Sequence, residues 1–374
     1  MKQALCYKIF LAFGIAIIFI ITLQFKTSEK QNHKIEFKTI STRSENIFER
    51  LNTQTKYIQY ECKTRCGGWS DRLDGIMSAL ALALIQNRNF LITITQPCLI
   101  NNLLESNLIK WDAQMTRNTS RSYELHSVDD LKMISKMKTL NLKTYLNEYD
   151  LITIRNNQNW LKSFSINPTI SHSINQLGYS QSEFRTHFLM REWYTALFKL
   201  KPNLTKRYED FLKLAKPNSE TKLICAQIRL GGSNRKNHAS DWKFNERNVT
   251  KLVWEFIRKT FLSKVSHNYK IFVTTDDEDV EKEALEQFGS SQLVINSGDI
   301  IHIDRDVRNL NDCSKIEKTI LDFHCLQNCD MAVISESGFG KLGLWNRKNP
   351  IQDLYLLSEK KILKFNQSEF FYNT

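Results

Sequence analysis

Apolar and polar positions divide the chain into stretches of different character. Residues 9–25, "IFLAFGIAIIFIITLQF", hold only Thr22 and Gln24 as polar side chains and follow Lys2 and Lys8. That length and flank predict a transmembrane signal anchor behind a short cytoplasmic tail, residues 1–8; no small-x-small site follows that would mark cleavage. Residues 26–56 are polar, poor in aromatics and without a sustained period, which predicts a stem. Structure is expected from about Tyr57.

From there two periods alternate. "YIQYEC" predicts a strand, Leu73, Ile76, Met77, Leu80 and Leu84 mark one helical face, and the β-branched "FLITIT" predicts a second strand. Strand, glycine loop, helix and strand make a βαβ unit. Residues 100–220 are less regular, with helices predicted near 183–200 and 204–216. The alternation resumes with the strands "LICAQIRL", "YKIFVTT", "QLVIN" and "DMAVIS", separated by the helical stretches "NVTKLVWEFIRKTFL", "DVEKEALEQF" and "KIEKTILDFHCLQNC" and followed by "GKLGLW". The expected fold class is therefore α/β, with two Rossmann-like domains, 57–218 and 219–374, facing a cleft. Such sheets bind ligands beyond the carboxyl ends of their strands, so the residues following each strand carry most weight.

With 374 residues, 41% of them hydrophobic, the chain can bury a large core, which excludes disorder as a whole-chain state. Sequons at Asn118, Asn203, Asn248 and Asn366 and the eight cysteines suit an oxidising lumen. With Cys6 in the anchor, seven cysteines remain, so at least one is unpaired or bonds another chain. Cys225, inside an apolar strand, is the expected buried free thiol. Cys62/Cys66 and Cys325/Cys329 share a C-x3-C spacing, but lumenal cysteines oxidise and the pairs lie far apart, which argues against a four-thiolate zinc site. Cys62 and Cys66 are expected to tie their loop. The net charge of +12 is spread without a basic run, which argues against nucleic acid. It suits a partner bearing phosphates, such as a nucleotide donor, or an anionic membrane surface.

Three strand ends hold candidate chemistry. "RLGG" places Arg229 before Gly231 and Gly232, where a guanidinium can fork onto phosphate oxygens and glycines admit an anion; an ordinary surface turn has the same composition. "VTTDDED" ends a strand in Asp276 and Asp277. Asp277 and Asp279, like Asp304 and Asp306, have the D-x-D spacing of a manganese site, but acidic residues at a helix start also cap it. "ISESGFG" sets Ser335, Ser337, Gly338 and Phe339 before a helix, an arrangement that suits an anion and equally an ordinary cap.

Together with "CGGWSDRLDGIMSALALALIQNR", these clusters, "QIRLGG", "FVTTDD" and "DMAVISESGFG", stand in an order that resembles the Arg-dependent fucosyltransferase superfamily, which includes the α1,2-, α1,6- and protein-O-fucosyltransferases. The resemblance spans roughly residues 57–350 in islands. It implies a GT-B fold, GDP-fucose as donor, a glycan or glycoprotein acceptor, and inversion without a metal or other cofactor. Arg229 matches the residue that binds the donor diphosphate, and Ser337, Gly338 and Phe339 match the last donor-binding turn. Gly231, Gly232, Asp276, Asp277, Ser335, Gly68 and Arg72 are further expected donor-binding residues, and Asp71 stands where relatives often carry Asn. Gln227 replaces a His, and Asp241 in "SDWKF" stands in for an acid that relatives place closer to the Arg. Asp71, Asp74 and Asp241 are the candidate bases. The resemblance also implies a Golgi or endoplasmic-reticulum membrane protein of type II. A manganese-dependent transferase using another nucleotide sugar and a non-catalytic lumenal glycan-binding relative are the competing readings.

Overall fold

The computed structural model describes residues 42–64, 66–115, 120–231, 245–265, 268–304, 313–358 and 360–365. The expected anchor, the sequons at Asn118 and Asn366, and Gly232, Asp241 and Asp306 lie outside the described residues.

In chain order the first six strands are β1 (Tyr57–Cys62), β2 (Asn89–Ile94), β3 (Leu104–Ser106), β4 (Ser122–Ser127), β5 (Leu151–Asn156) and β6 (Phe198–Leu200). Four of them form a parallel sheet in the order β2-β1-β5-β4, while β3 and β6 pair antiparallel beside it. The expected βαβ unit is present as β1, the helix Trp69–Gln86 and β2. That helix buries almost its whole circumference from Leu73 to Ile85, not one face, because it lies between the sheet and further helices. Gly75 is required where it crosses β5, since a Cβ there would sit 2.0 Å from the Asn156 carbonyl oxygen.

The second half adds β7 (Lys222–Ile228), β8 (Tyr269–Thr275), β9 (Leu293–Val294), β10 (Met331–Ser335), β11 (Leu354–Ser358) and β12 (Lys361–Lys364), ordered β12-β11-β10-β7-β8-β9. All neighbours are parallel except β11 and β12. Chain progression reverses between β7 and β10, the doubly wound topology whose switch point opens a crevice at the strand ends. One apolar cluster runs through residues of both halves, from Ile58 and Leu80 to Phe272 and Ile320.

Two expectations need correction. Order begins before Tyr57: Thr42–Leu51 is a helix, and Phe48 and Leu51 are buried in the core. Ile47, Phe48 and Leu51 form an apolar stripe too short to stand out from its polar surroundings. Cys225 is bonded to Cys329, because β10 lies directly against β7 and the chain enters β10 just after Cys329. Among the described residues the buried free thiol is Cys325. Cys62 is bonded to Cys66 as expected, and Cys98 to Cys313. These bonds suit an oxidising, secretory compartment. Of the sequons, Asn203 and Asn248 are exposed.

Candidate active site

At the switch point the loop after β7 is fixed by groups from three neighbouring segments. Asp276, beyond the end of β8, accepts the Leu230 and Gly231 amide protons, both at 2.8 Å, and its Oδ2 stands 3.4 Å from Arg229 Nη1. Ser335 Oγ accepts the Arg229 N–H at 2.9 Å, and Asn245 donates to the Arg229 carbonyl at 2.8 Å. Gly231 completes the turn with φ +92°, a left-handed conformation that favours glycine. The backbone of Arg229 is thus held on both sides, and its side chain, 21% exposed, lines the cleft.

The turn after β10 faces it. Ser337 Oγ donates to Gln227 Oε1 at 3.1 Å and caps the helix Gly338–Trp345 by accepting the Gly340 N–H. A Cβ on Gly340 would lie 2.5 Å from Gln227 Oε1, and one on Gly338 2.9 Å from Ser70 Oγ. The Gly338–Trp345 and Trp69–Gln86 helices therefore meet start to start, and the residues at both starts line the same cleft, Gly338 and Phe339 from one and Gly68 to Asp71 from the other. Free N–H groups and the positive end of a helix favour an anion, and two such ends converge here.

On the first-half side, Asp71 accepts the Gly68 N–H at 2.7 Å and lines the cleft. Burial raises its carboxyl above the usual range; the Gly68 hydrogen bond opposes this, Asp304 adds to it and Arg72 opposes it. Asp74, one turn further on, does not line the cleft and accepts from Asn159 Nδ2 at 2.9 Å. Burial pushes its carboxyl up to about 7, aided by Asp71 and opposed by Asn159. The cleft has a volume of about 460 Å³, within the range of small-ligand pockets. Its remaining wall is the segment 299–303, and Lys318, Thr319 and Asp322 also line it.

Comparison with solved structures places this architecture. FUT1 of Arabidopsis thaliana, solved as a mutant in complex with GDP, matches with a TM-score of 0.56 at 14% identity, covering 84% of this chain and 74% of that one. The chain shares its fold with that protein. The fucosyltransferase NodZ from Bradyrhizobium matches at a TM-score of 0.46 and 11% identity, covering 83% of this chain and 98% of that one. Neither protein-family models nor curated proteins give a match to the sequence.

Within this fold, Arg229, Asp276, Ser337, Gly338, Phe339, Gly68 and Asp71 all line the cleft. The other described donor-side residues sit behind it. Ser335 is fully buried beneath Arg229, and the Gly231 N–H is taken by Asp276. Asp277 turns away from the cleft, caps the helix Glu278–Phe288 through the Asp279 N–H and pairs with Arg247 at 2.7 Å. The helix-cap reading of that Asp is therefore the one its geometry supports. Arg72 is 1% exposed, behind the glycine loop rather than on the cleft surface.

Lys318 and Asp322 line the cleft without belonging to any of the sequence motifs. Lys318 Nζ lies 3.0 Å from Asp322 and 3.2 Å from Glu281, and Asp322 also accepts from Thr274 and Asn296. The signal was available: both sit four residues apart among Ile316, Ile320 and Phe323, so charges occupy the buried face of the helix Ser314–Cys325.

Proposed function

We propose that the protein is a metal-independent glycosyltransferase that moves fucose from GDP-fucose to a hydroxyl of a glycan or glycoprotein, with inversion. The carrying observation is Arg229: a guanidinium facing the cleft at the switch point of a doubly wound sheet, its backbone locked by Asp276, Ser335 and Asn245. A diphosphate accepts a fork of N–H bonds from such a group, and the positive ends of two helices add to the attraction. In the transfer, an acceptor oxygen attacks the sugar C1 while the C1–O bond to the diphosphate breaks and its electron pair stays on the phosphate oxygen. Arg229 stabilises the charge that grows there. Asp71, on the opposite lip, takes the hydroxyl proton, a role favoured by a carboxyl whose affinity for protons is raised by burial.

In this reading residues 57–218 form the acceptor side and 219–374 the donor side. The described disulfides and exposed sequons support a lumenal globular part, and the run at 9–25 supports a single-pass type II anchor in the Golgi or endoplasmic-reticulum membrane. The carboxylates of Asp277 and Asp304 are engaged by Arg247 and Arg72, which speaks for the metal-independent route over the manganese alternative.

Arg229→Lys in the full chain is expected to lower transfer from GDP-fucose about 100- to 1000-fold, since a point charge cannot replace the fork. Near-normal turnover in that variant overturns the proposal. Activity abolished by EDTA would favour the manganese enzyme, and failure of the wild-type protein to bind GDP in calorimetry would favour a non-catalytic role.

A further inference from the structure

Asp304 lies in the second half of the sequence, just past the cleft wall formed by residues 299–303, yet its carboxylate serves the first half. Its Oδ2 accepts the Gly67 N–H, and its Oδ1 pairs with Arg72 Nη2 at 2.6 Å. Arg72 in turn donates from Nε to the Gly67 carbonyl at 3.1 Å and from Nη1 to the Gln96 carbonyl. Gly67 therefore has both its N–H and its C=O occupied. Its φ of +82° and the 2.3 Å between a would-be Cβ and Asp71 Oδ2 leave no room for another residue.

We propose that Asp304 is a positioning residue for the transfer reaction, a clasp that sets the place of the Gly67–Asp71 lip relative to the wall 299–303. The proposal rests on the function proposed above. Asp304 touches neither donor nor acceptor in this scheme. It acts through Gly67 and Arg72 on Asp71, the carboxylate four residues along the lip. The Cys98–Cys313 bond makes a second tie to the first half, at residue 313, while Asp304 makes its tie directly beside the wall 299–303. Arg72 and Asp304 are nearly buried, with side chains 2% and 12% exposed, so the pair is shielded from competing water and salt.

The test is Asp304→Asn in the full chain, with Asp304→Glu as the charge-retaining control. Loss of the clasp misplaces the lip, and kcat/KM for GDP-fucose is expected to fall about 100-fold in the Asn variant, with partial recovery in the Glu variant. The charged groups acting on Asp71 are Asp304, Arg72 and Asp129. Removing the Asp304 charge leaves Arg72 unopposed beside Asp71, so the acid limb of the pH profile is expected to move to lower pH. A variant that only lost folded protein would keep its limb in place. Wild-type kcat/KM, or a loss matched by the unfolded fraction with the limb unmoved, overturns the clasp. Hydrogen exchange separates this from failure of the function itself. If wild type does not use GDP-fucose, the functional reading falls, and the clasp is judged by whether the amides of 67–71 lose protection in Asp304→Asn; unchanged protection overturns it.

Discussion

The loop after β7 is held from within its own half, whereas the loop after β1 is held from across the chain. Asp276, which fixes Leu230 and Gly231, follows the neighbouring strand β8 and lies 46 residues from Leu230. Asp304, which fixes Gly67 and Arg72, lies 232 residues from Arg72. The two lips use the same chemistry, a carboxylate accepting backbone N–H groups beside an arginine, but with different dependence. The Arg229 lip is complete once its sheet and the segment carrying Asn245 are in place, all within the second half. The Asp71 lip is complete only when the two halves have met, so its geometry reports on their association.

The largest effect expected on this contrast comes from breaking the self-contained lip at Asp276. Asp276→Ala leaves the Leu230 and Gly231 amides without their acceptor and removes the group facing Arg229. Transfer is expected to fall about 100-fold because Arg229 loses its aim, and stability by about 1–3 kcal/mol for the orphaned donors. Kinetics with GDP-fucose and a urea midpoint check both. A variant with wild-type turnover would mean that Asp276 does not position Arg229.

A smaller effect should separate the local from the long-range tie on the other lip. Cys98 and Cys313 are 215 residues apart, and Cys62 and Cys66 are four. Loop-closure entropy grows with the logarithm of the loop, so the paired Ser variant of Cys98 and Cys313 is expected to cost about 2–5 kcal/mol and that of Cys62 and Cys66 about 2 kcal/mol or less. Equal midpoints for the two variants would remove the distinction between a lip held locally and one held across the chain.

The same distinction separates what could be read from the sequence. The strands β7, β8 and β10 were legible because central parallel strands are continuous apolar runs ending in marked turns. β4, "SYELHS", was not, because it is an edge strand with exposed Glu124 and His126, and β12 is a short, exposed edge. Arg229, Asp276 and Ser337 each stand just past a strand of one sheet, so the strand pattern alone brings them to one cleft. Arg72 was assigned to the donor side from its place in the motif, and its real partner could be found only in three dimensions. The D-x-D spacing of Asp304 and Asp306 is a local pattern, whereas the partners of Asp304, Gly67 and Arg72, lie far back in the chain. Cys225 failed for the same reason, since an apolar strand does not announce which strand will lie beside it.

The smallest effect tests whether the Asp71 lip carries a charge burden. Asp74 is half-buried and its carboxyl is pushed up to about 7 from the ordinary 3.8, chiefly by burial. The folded protein thus binds this proton more tightly than the unfolded chain does. Asp74 imposes no penalty below about pH 4, and stability is lost as pH rises from there through about 7. Asp74→Asn keeps an oxygen to accept from Asn159 and removes the ionisation. The variant is expected to match wild type at pH 4 and to be more stable at pH 8 by about 1–2 kcal/mol, after discounting the full shift for partial exposure to solvent. Urea midpoints at the two pH values decide it. A variant less stable than wild type at pH 8 would show that the ionised carboxylate is stabilised by its surroundings, and that the strained charge of this lip resides in Asp71 alone.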